Sequence, residues 1–433
     1  MNKNVFIVGF MLFAIFFGAG NLIFPPSLGL NSGADFWSAI LGFVLTGVGL
    51  PLLALIVASH YEGGYKKALE NISPIISLLL LGAIYLTIGP FFAIPRTAAT
   101  SYDMAVLPFL DGNSWQSLLI FTAVYFGITL WVSLNPTKMV DRIGSILTPV
   151  LLLAIIALVV KAIMIFSGVE VDSVVKTHNM NAPFFDGFIE GYQTMDAIAA
   201  FAFSVLVVNA IKAKSQNTGS LIKQTVLASL VSAVALGVIY ILIGWIGNNI
   251  PLTAAQIAEA KASGQNLGAF ILNETATRAF GELGRTVLGV IVTLACLTTS
   301  IGLVVSTSAY FNNVFPKISY KVYAVIFTLI GFGLANQGLN EVIKTSIPVL
   351  LVLYPIAMTV LLVLLVNIFI SIPRVAQGLA IIVVTVVSIC SVIGLEFTAQ
   401  LPLKQYSMEW LPFAVLGVII GLVLHFFTKE KQH

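Results

Sequence analysis

Twelve apolar stretches recur along the 433-residue chain, near 5–30, 36–59, 74–100, 115–134, 143–167, 186–211, 221–248, 286–310, 320–335, 346–370, 376–396 and 411–427. Most reach the roughly 20 residues that a helix needs to cross a bilayer, and the ninth is short. Lipid offers a backbone no hydrogen-bond partner, so segments of this length and composition must satisfy their own polar groups as helices. Composition agrees, with 58% hydrophobic and 9% charged residues and a mean hydropathy of +1.02, where soluble domains carry about 25% charged residues. The expectation is an all-α polytopic membrane protein of about 12 transmembrane helices, with 1–433 forming a single membrane domain. No cleaved signal peptide is expected, because Met1–Asn4 runs straight into an apolar stretch too long and too glycine-broken for one.

Charge placement orients these spans. With Lys3 on the cytoplasmic side and the spans alternating, 13 of the 21 Lys and Arg fall on that side, among them Lys66, Lys67, Lys138, Arg142 and Arg374. The opposite side takes Arg96, Lys176, Lys261, Arg278, Arg285, Lys344 and Lys404, three of them in the one long loop between spans seven and eight, where charge carries little weight. Both termini therefore read as cytoplasmic. The basic residues form no stripe, so a net charge of +3 points to no nucleic-acid partner. Cys296 and Cys390 lie inside apolar runs and read as small core residues. His60 and His178 fall in loops, and His425 and His433 near the chain end, so no metal cluster can be built from them. No catalytic pair or phosphate-binding loop is present, and the chain does not read as an enzyme or as the holder of a cofactor.

The first apolar run is interrupted by Phe16-Phe17-Gly18-Ala19-Gly20-Asn21-Leu22-Ile23-Phe24-Pro25-Pro26. Gly18 and Gly20 weaken a helix, and Pro25 and Pro26 withhold two backbone donors. Such a break persists only where protein or a polar cavity satisfies the freed groups, and in transporters broken spans mark the binding site. A glycine-rich packing face is the alternative reading of Gly18-x-Gly20. The bare amides that open the second half-helix suit a carboxylate. A second interruption, Tyr192-Gln193-Thr194-Met195-Asp196-Ala197-Ile198-Ala199-Ala200, lies in the sixth span. Spans one and six occupy equivalent places if spans one to five and six to ten are two halves of opposite orientation, with 1–168 and 186–370 as inverted repeats. Spans eleven and twelve, over 376–427, are then peripheral, in keeping with their lack of an acidic or strongly polar cluster. The loop from Asn248 to Gly284 is expected to form short helices over the outer mouth.

An acid such as Asp196 costs on the order of 2.5–3.5 kcal/mol at a bilayer centre, which makes it a functional candidate, with a purely structural role as the alternative. A third polar group, Ala295-Cys296-Leu297-Thr298-Thr299-Ser300, lies in the eighth span. Its hydroxyls could ligate a small hard cation, although, taken alone, back-bonding to the preceding turn is the better account of them. Gly89-Pro90-Phe91-Phe92-Ala93-Ile94-Pro95-Arg96 is a proline-bent run, and the Tyr85 phenol one turn before it either faces the pocket or packs.

Phe16 to Pro26, Gly89 to Asp103, Glu190 to Ser204 and Ala295 to Gly302 together resemble the branched-chain amino acid:cation symporter family, the BrnQ-like carriers of bacteria. That family is similar to the wider amino acid, polyamine and cation superfamily with the LeuT-type 5+5 inverted repeat and broken helices 1 and 6. The resemblance implies a symporter importing branched-chain L-amino acids across the bacterial cytoplasmic membrane, with Na+ or H+ as the transported coupling ion. The bilayer is the expected surroundings of the chain, and no obligate protein partner can be read from the sequence. Another small hydrophobic amino acid, or a related solute, on the same fold is the alternative cargo. By motif, Ala19 and Gly20 would donate to the substrate carboxylate. Asn21, Thr194 and the carbonyl of Phe16 would ligate a cation beside it. Ala295, Thr298 and Thr299, with the carbonyls of Ala14 and Phe17, would hold a second cation. The substrate ammonium would meet Asp196 and the carbonyls around Gln193, and Ala199, Phe201 and Leu303 would line the apolar wall. Leu22 and Ile23 replace a basic gating residue found in the neurotransmitter branch of the superfamily, and Asp196 takes a place that a small or hydroxyl residue usually holds there.

Overall fold

The computed structural model describes residues 3–110, 114–134, 138–169, 180–214 and 221–430. Lys176, His178, Lys431 and His433 lie outside the described residues. Among the described residues there is no strand, and each of the twelve apolar runs lies on helix. Among the described residues, nine helical pieces are long and apolar enough to cross a membrane, and Val5–Phe16 and Tyr320–Ala335 are shorter apolar helices.

The first run divides into α1 (Lys3–Phe16) and α2 (Ala19–Ser32). Gly18 between them is extended, with φ −115° and ψ −168°, and its N–H donates to the Asn21 Oδ1 at 3.2 Å. The interruption is therefore shorter than the sequence suggests. Pro25 and Pro26 sit inside α2, where they free carbonyls of the preceding turn without ending the helix. The second run holds α3 (Phe36–Val44) and α4 (Leu50–Ala58), and α5 (Gly64–Ile72) follows. The third holds α6 (Pro74–Leu86) and α7 (Ala93–Ala105), joined by a wide turn over Thr87–Phe91 in which Gly89 leaves helical geometry. Arg96 thus lies within a span and not in an outer segment, and only 3% of it is exposed. Two uninterrupted helices follow, α8 (Trp115–Leu134) and α9 (Lys138–Phe166).

The sixth run divides into α10 (Pro183–Tyr192) and α11 (Asp196–Lys214). Met195, at φ +65°, carries a left-handed conformation that is rare for a residue with a side chain. Strain of that kind persists where the surrounding structure enforces it, commonly at binding sites. Next come α12 (Leu221–Asn249), α13 (Ala254–Ala262) and α14 (Leu267–Val314). The last of these is longer than the predicted eighth span and is kinked at Gly281, with φ +70°. As expected, short helical segments fill 248–284. The chain closes with α15 (Tyr320–Ala335), α16 (Leu339–Phe369), α17 (Arg374–Ile393) and α18 (Trp410–Glu430).

Both halves of the first span pack on α12, α10 packs on α3, α11 on α4, and α14 on α7, α9 and α2. The last helix packs chiefly on α17 and stands at the edge, with Val415, Ile419 and Phe426 exposed as a lipid-facing surface requires. At the distal end, where α2 finishes at Ser32, three glycines bring backbones together. A methyl group at Gly29 would overlap the Gly244 carbonyl, one at Gly247 the Pro26 carbonyl, and one at Gly268 the Ile23 carbonyl. Asn248 Nδ2 adds bonds to the carbonyls of Gly29 at 3.0 Å and Gly33 at 2.7 Å. At these points α2 meets its neighbours backbone to backbone, so it is held tightly against α12 and α14 on the distal side of the first break.

Candidate functional site

The two breaks meet. Asn21 Nδ2, in the first turn of α2, donates to Asp196 Oδ2 at 2.6 Å and also bonds the Tyr240 hydroxyl of α12. Tyr240 reaches the same carboxylate oxygen at 3.5 Å. Asp196 opens α11, where its own N–H donates to Thr194 Oγ1 at 3.4 Å, and that hydroxyl donates back to the Gly191 carbonyl at 2.9 Å. Thr194 thereby satisfies the first N–H of the second half-helix, whereas Asn21 reaches back to the Gly18 N–H before α2. Asp196, Thr194 and Gln193 are all at least nine-tenths buried.

Between the breaks stands Arg96. Its Nη1 donates to the Gln193 carbonyl at 2.5 Å and its Nη2 to the Thr194 carbonyl at 3.3 Å. The guanidinium lies over the Phe24 ring, 5.3 Å from its centre, and a Cβ on Gly20 would stand 3.1 Å from Nη2. Gly20 is thus small because a cation occupies the space beside it. Arg96 and Asp196 are not joined by an ion pair among the described residues. The site accordingly holds a buried cationic fork and a buried carboxylate separately, next to the unpaired first N–H groups of α2 and the unpartnered Gln193 Oε1. The arrangement sets positive charge and bare amides at Arg96, Ala19 and Gly20 apart from negative charge at Asp196.

The remaining sequence-derived residues are placed unevenly. Ala199 is half-buried on α11. Phe201, five residues past Asp196 and so about 140° round the helix, stacks on Tyr65 of α5 with ring centres 3.9 Å apart. Leu303 is buried in α14. Tyr85 stacks on Tyr310 and donates to the Ala202 carbonyl at 2.8 Å, so its phenol bonds the backbone of α11. Phe16 and Phe17 are buried at the end of α1, Phe17 stacked on Phe13 and facing Tyr240, while Ala14 is half-buried one turn earlier. Thr298 and Thr299 both donate to the Ala295 carbonyl, at 2.8 and 3.0 Å. These three oxygens form a compact group on α14, but α14 packs on α2, α7 and α9, whereas α1 packs on α12. Two site residues escaped the sequence reading, Arg96 and Tyr240. The cluster of small and hydroxyl residues around Arg96, Thr97-Ala98-Ala99-Thr100-Ser101, is a signal that could have kept it inside the span. No comparable signal marks Tyr240.

The arrangement has parallels among known proteins. A family model described as branched-chain amino acid transport protein matches residues 1–428. A relative from Staphylococcus epidermidis, provisionally named a branched-chain amino acid carrier protein, is 50% identical, covering 100% of this chain and 99% of its own length. One from Staphylococcus aureus with a similar provisional name is 49% identical over 99% of this chain and 98% of its own. Among solved structures, the inward-facing form of Mhp1 is similar with a TM-score of 0.63 at 14% identity, covering 98% of this chain and 91% of that one. MhsT in complex with L-phenylalanine gives a TM-score of 0.55 at 16% identity, covering 98% of each chain. Both carry the LeuT-type transporter fold, which the present bundle shares. By the extent of these matches, the chain belongs to the branched-chain amino acid transport protein family.

Proposed function

We propose that this protein is a secondary active symporter that imports leucine, isoleucine and valine across the bacterial cytoplasmic membrane with sodium as the coupling ion. The observation that carries the substrate reading is the separate burial of Arg96 and Asp196 where the two broken helices meet. Opposite fixed charges held apart, without an ion pair of their own, match the two ends of an α-amino acid. Ala199 and Leu303 then face its aliphatic side chain.

For the ion, the Ala295 carbonyl with the Thr298 and Thr299 hydroxyls supplies three hard oxygens, completed by the carbonyls of Ala14 and Phe17 once α1 and α14 approach. The cation beside the substrate is a weaker part of the inherited pattern, because Asn21 and Thr194 already spend their side chains on capping and on Asp196. Arg96 supplies the positive charge in that position. Residues 1–168 and 186–370 act as inverted repeats that rock about the breaks, with 376–427 at the periphery, both termini cytoplasmic and the distal end extracellular.

Leucine uptake into proteoliposomes, with sodium and proton gradients imposed separately, tests this. Accumulation against a leucine gradient with sodium alone is expected. Accumulation driven only by protons would overturn the ion, and failure to accumulate any branched-chain amino acid under either gradient would overturn the function.

A further inference from the structure

The Asp196 carboxylate is held by one of its two oxygens. Asn21 Nδ2 donates to Oδ2 at 2.6 Å and the Tyr240 hydroxyl reaches the same oxygen at 3.5 Å, while neither bonds Oδ1. The direction of each bond is fixed from outside the group. The Gly18 N–H can only donate, so the Asn21 oxygen is the atom that faces it, and the amide nitrogen must face Asp196 and Tyr240. The Tyr240 oxygen accepts from that nitrogen, which leaves its single O–H for Asp196. The Tyr240 ring is itself immobilised. It is fully buried in α12, stacked on Phe17 with ring centres 6.4 Å apart and met edge-on by Phe43 of α3 at 5.5 Å.

An aspartate needs such help. The terminal torsion of its side chain is broad, so a carboxylate with no fixed donor turns and presents either oxygen. Two donors on Oδ2 stop that rotation and leave Oδ1 as the acceptor for a ligand, with 6% of the residue still exposed. We propose that Tyr240 is a positioning residue for the substrate ammonium: together with Asn21 it anchors Asp196 through Oδ2 and so aims Oδ1 at the amino group. This rests on the reading that Asp196 receives the ammonium, and it adds that the receptor is assembled from three elements and not carried by α11 alone. Asn21 belongs to α2, Tyr240 to α12 and Asp196 to α11, and α2 packs closely on α12. Parting α2 from α12 takes the amide away from Tyr240 and Asp196 at once, so the carboxylate is loosened and its hold on the ammonium falls in the same step. Grip on the substrate is thereby tied to the packing of the first break.

The test compares three ligands on the full chain in nanodiscs by competition with radiolabelled leucine: leucine itself, its α-hydroxy acid, in which a hydroxyl replaces the ammonium, and leucinamide, which lacks the carboxylate. Tyr240→Phe keeps the ring in its packing and deletes the hydroxyl. The preference for leucine over the hydroxy acid is expected to fall roughly two- to ten-fold, the range that a single hydrogen bond covers, while the preference for leucine over leucinamide holds. Phe43→Leu frees the ring without removing the hydroxyl and is expected to move the first ratio the same way by a smaller factor. It decides the matter if Tyr240→Phe does not fold. An unchanged first ratio, or two ratios that fall by the same factor, would overturn the inference and leave Tyr240 as packing for the break. A parental protein that binds the hydroxy acid as well as leucine would overturn the ammonium assignment to Asp196 and this inference with it, and one that binds no leucine would overturn the transport reading. Both of those results are read in the parental protein, so they stay distinct from a failure of Tyr240 alone.

Discussion

Replacing Arg96 with glutamine tests how the carboxylate is held. Gln retains a polar head but loses the charge and the fork, so the Gln193 and Thr194 carbonyls lose charge-assisted donors and the substrate loses its cationic partner. A hydrogen bond to a charged group contributes about 1.5–3 kcal/mol, which at 1.4 kcal/mol per decade weakens leucine binding roughly ten- to 140-fold. Part of any loss could reflect a loosened break, because Arg96 ties α7 to both carbonyls. A double-mutant cycle separates the two contributions: leucine and leucinamide, which lacks the carboxylate, are titrated calorimetrically against the parental and Arg96→Gln proteins. If the guanidinium holds the carboxylate, the preference for leucine over leucinamide shrinks by the same factor as leucine affinity falls. If the preference is unchanged while both ligands weaken equally, Arg96 only braces the break and the assignment fails.

Asp196→Asn keeps the shape of the side chain and should weaken leucine binding by about ten-fold to more than a hundred-fold. A variant that binds and exchanges leucine normally but no longer responds to an imposed pH gradient would make Asp196 a proton carrier instead. Thr298→Val with Thr299→Val removes two oxygens without changing shape and should abolish sodium stimulation of uptake. Stimulation at the parental level would mean that both hydroxyls serve only to bond back to Ala295. Gly268→Val drives a side chain into the Ile23 carbonyl and should hold the distal side open. In a protein with Cys296 and Cys390 replaced and Ile23→Cys introduced, labelling by a membrane-impermeant thiol reagent should then accelerate, and an unchanged labelling rate would rule out Gly268 as part of the distal contact.

Both helix breaks were legible because their causes are local: Gly18 and Gly20 beside Asn21, and polar residues around an acid in the sixth span. Their extent was less legible. Pro25 and Pro26 look like helix breakers in isolation, but α2 continues through them because protein packed around the helix can satisfy the freed carbonyls. Arg96 was assigned to the wrong place for a more basic reason. Counting cations by flank presumes that an arginine seeks water, whereas this one is held by carbonyls nearly 100 residues further along, which exist only because the sixth span is broken. Tyr240 is equally non-local, its partner lying 219 residues away. What can be read from sequence is where the backbone loses its own hydrogen bonds, and what cannot is which distant group makes up the loss.

The contact at the distal end is built from main-chain atoms. Gly29, Gly247 and Gly268 meet carbonyls, and the side chain that bonds the Gly29 and Gly33 carbonyls, Asn248, is neutral. The glycine contacts themselves carry no charge for ions in the medium to screen. Opening them exchanges close-range dispersion for hydration, contact by contact, so their equilibrium should stay nearly level across brackish and dilute surroundings. If transport is coupled to an ion as proposed, its sensitivity to salinity is then expected to arise where the ion binds and not at this contact.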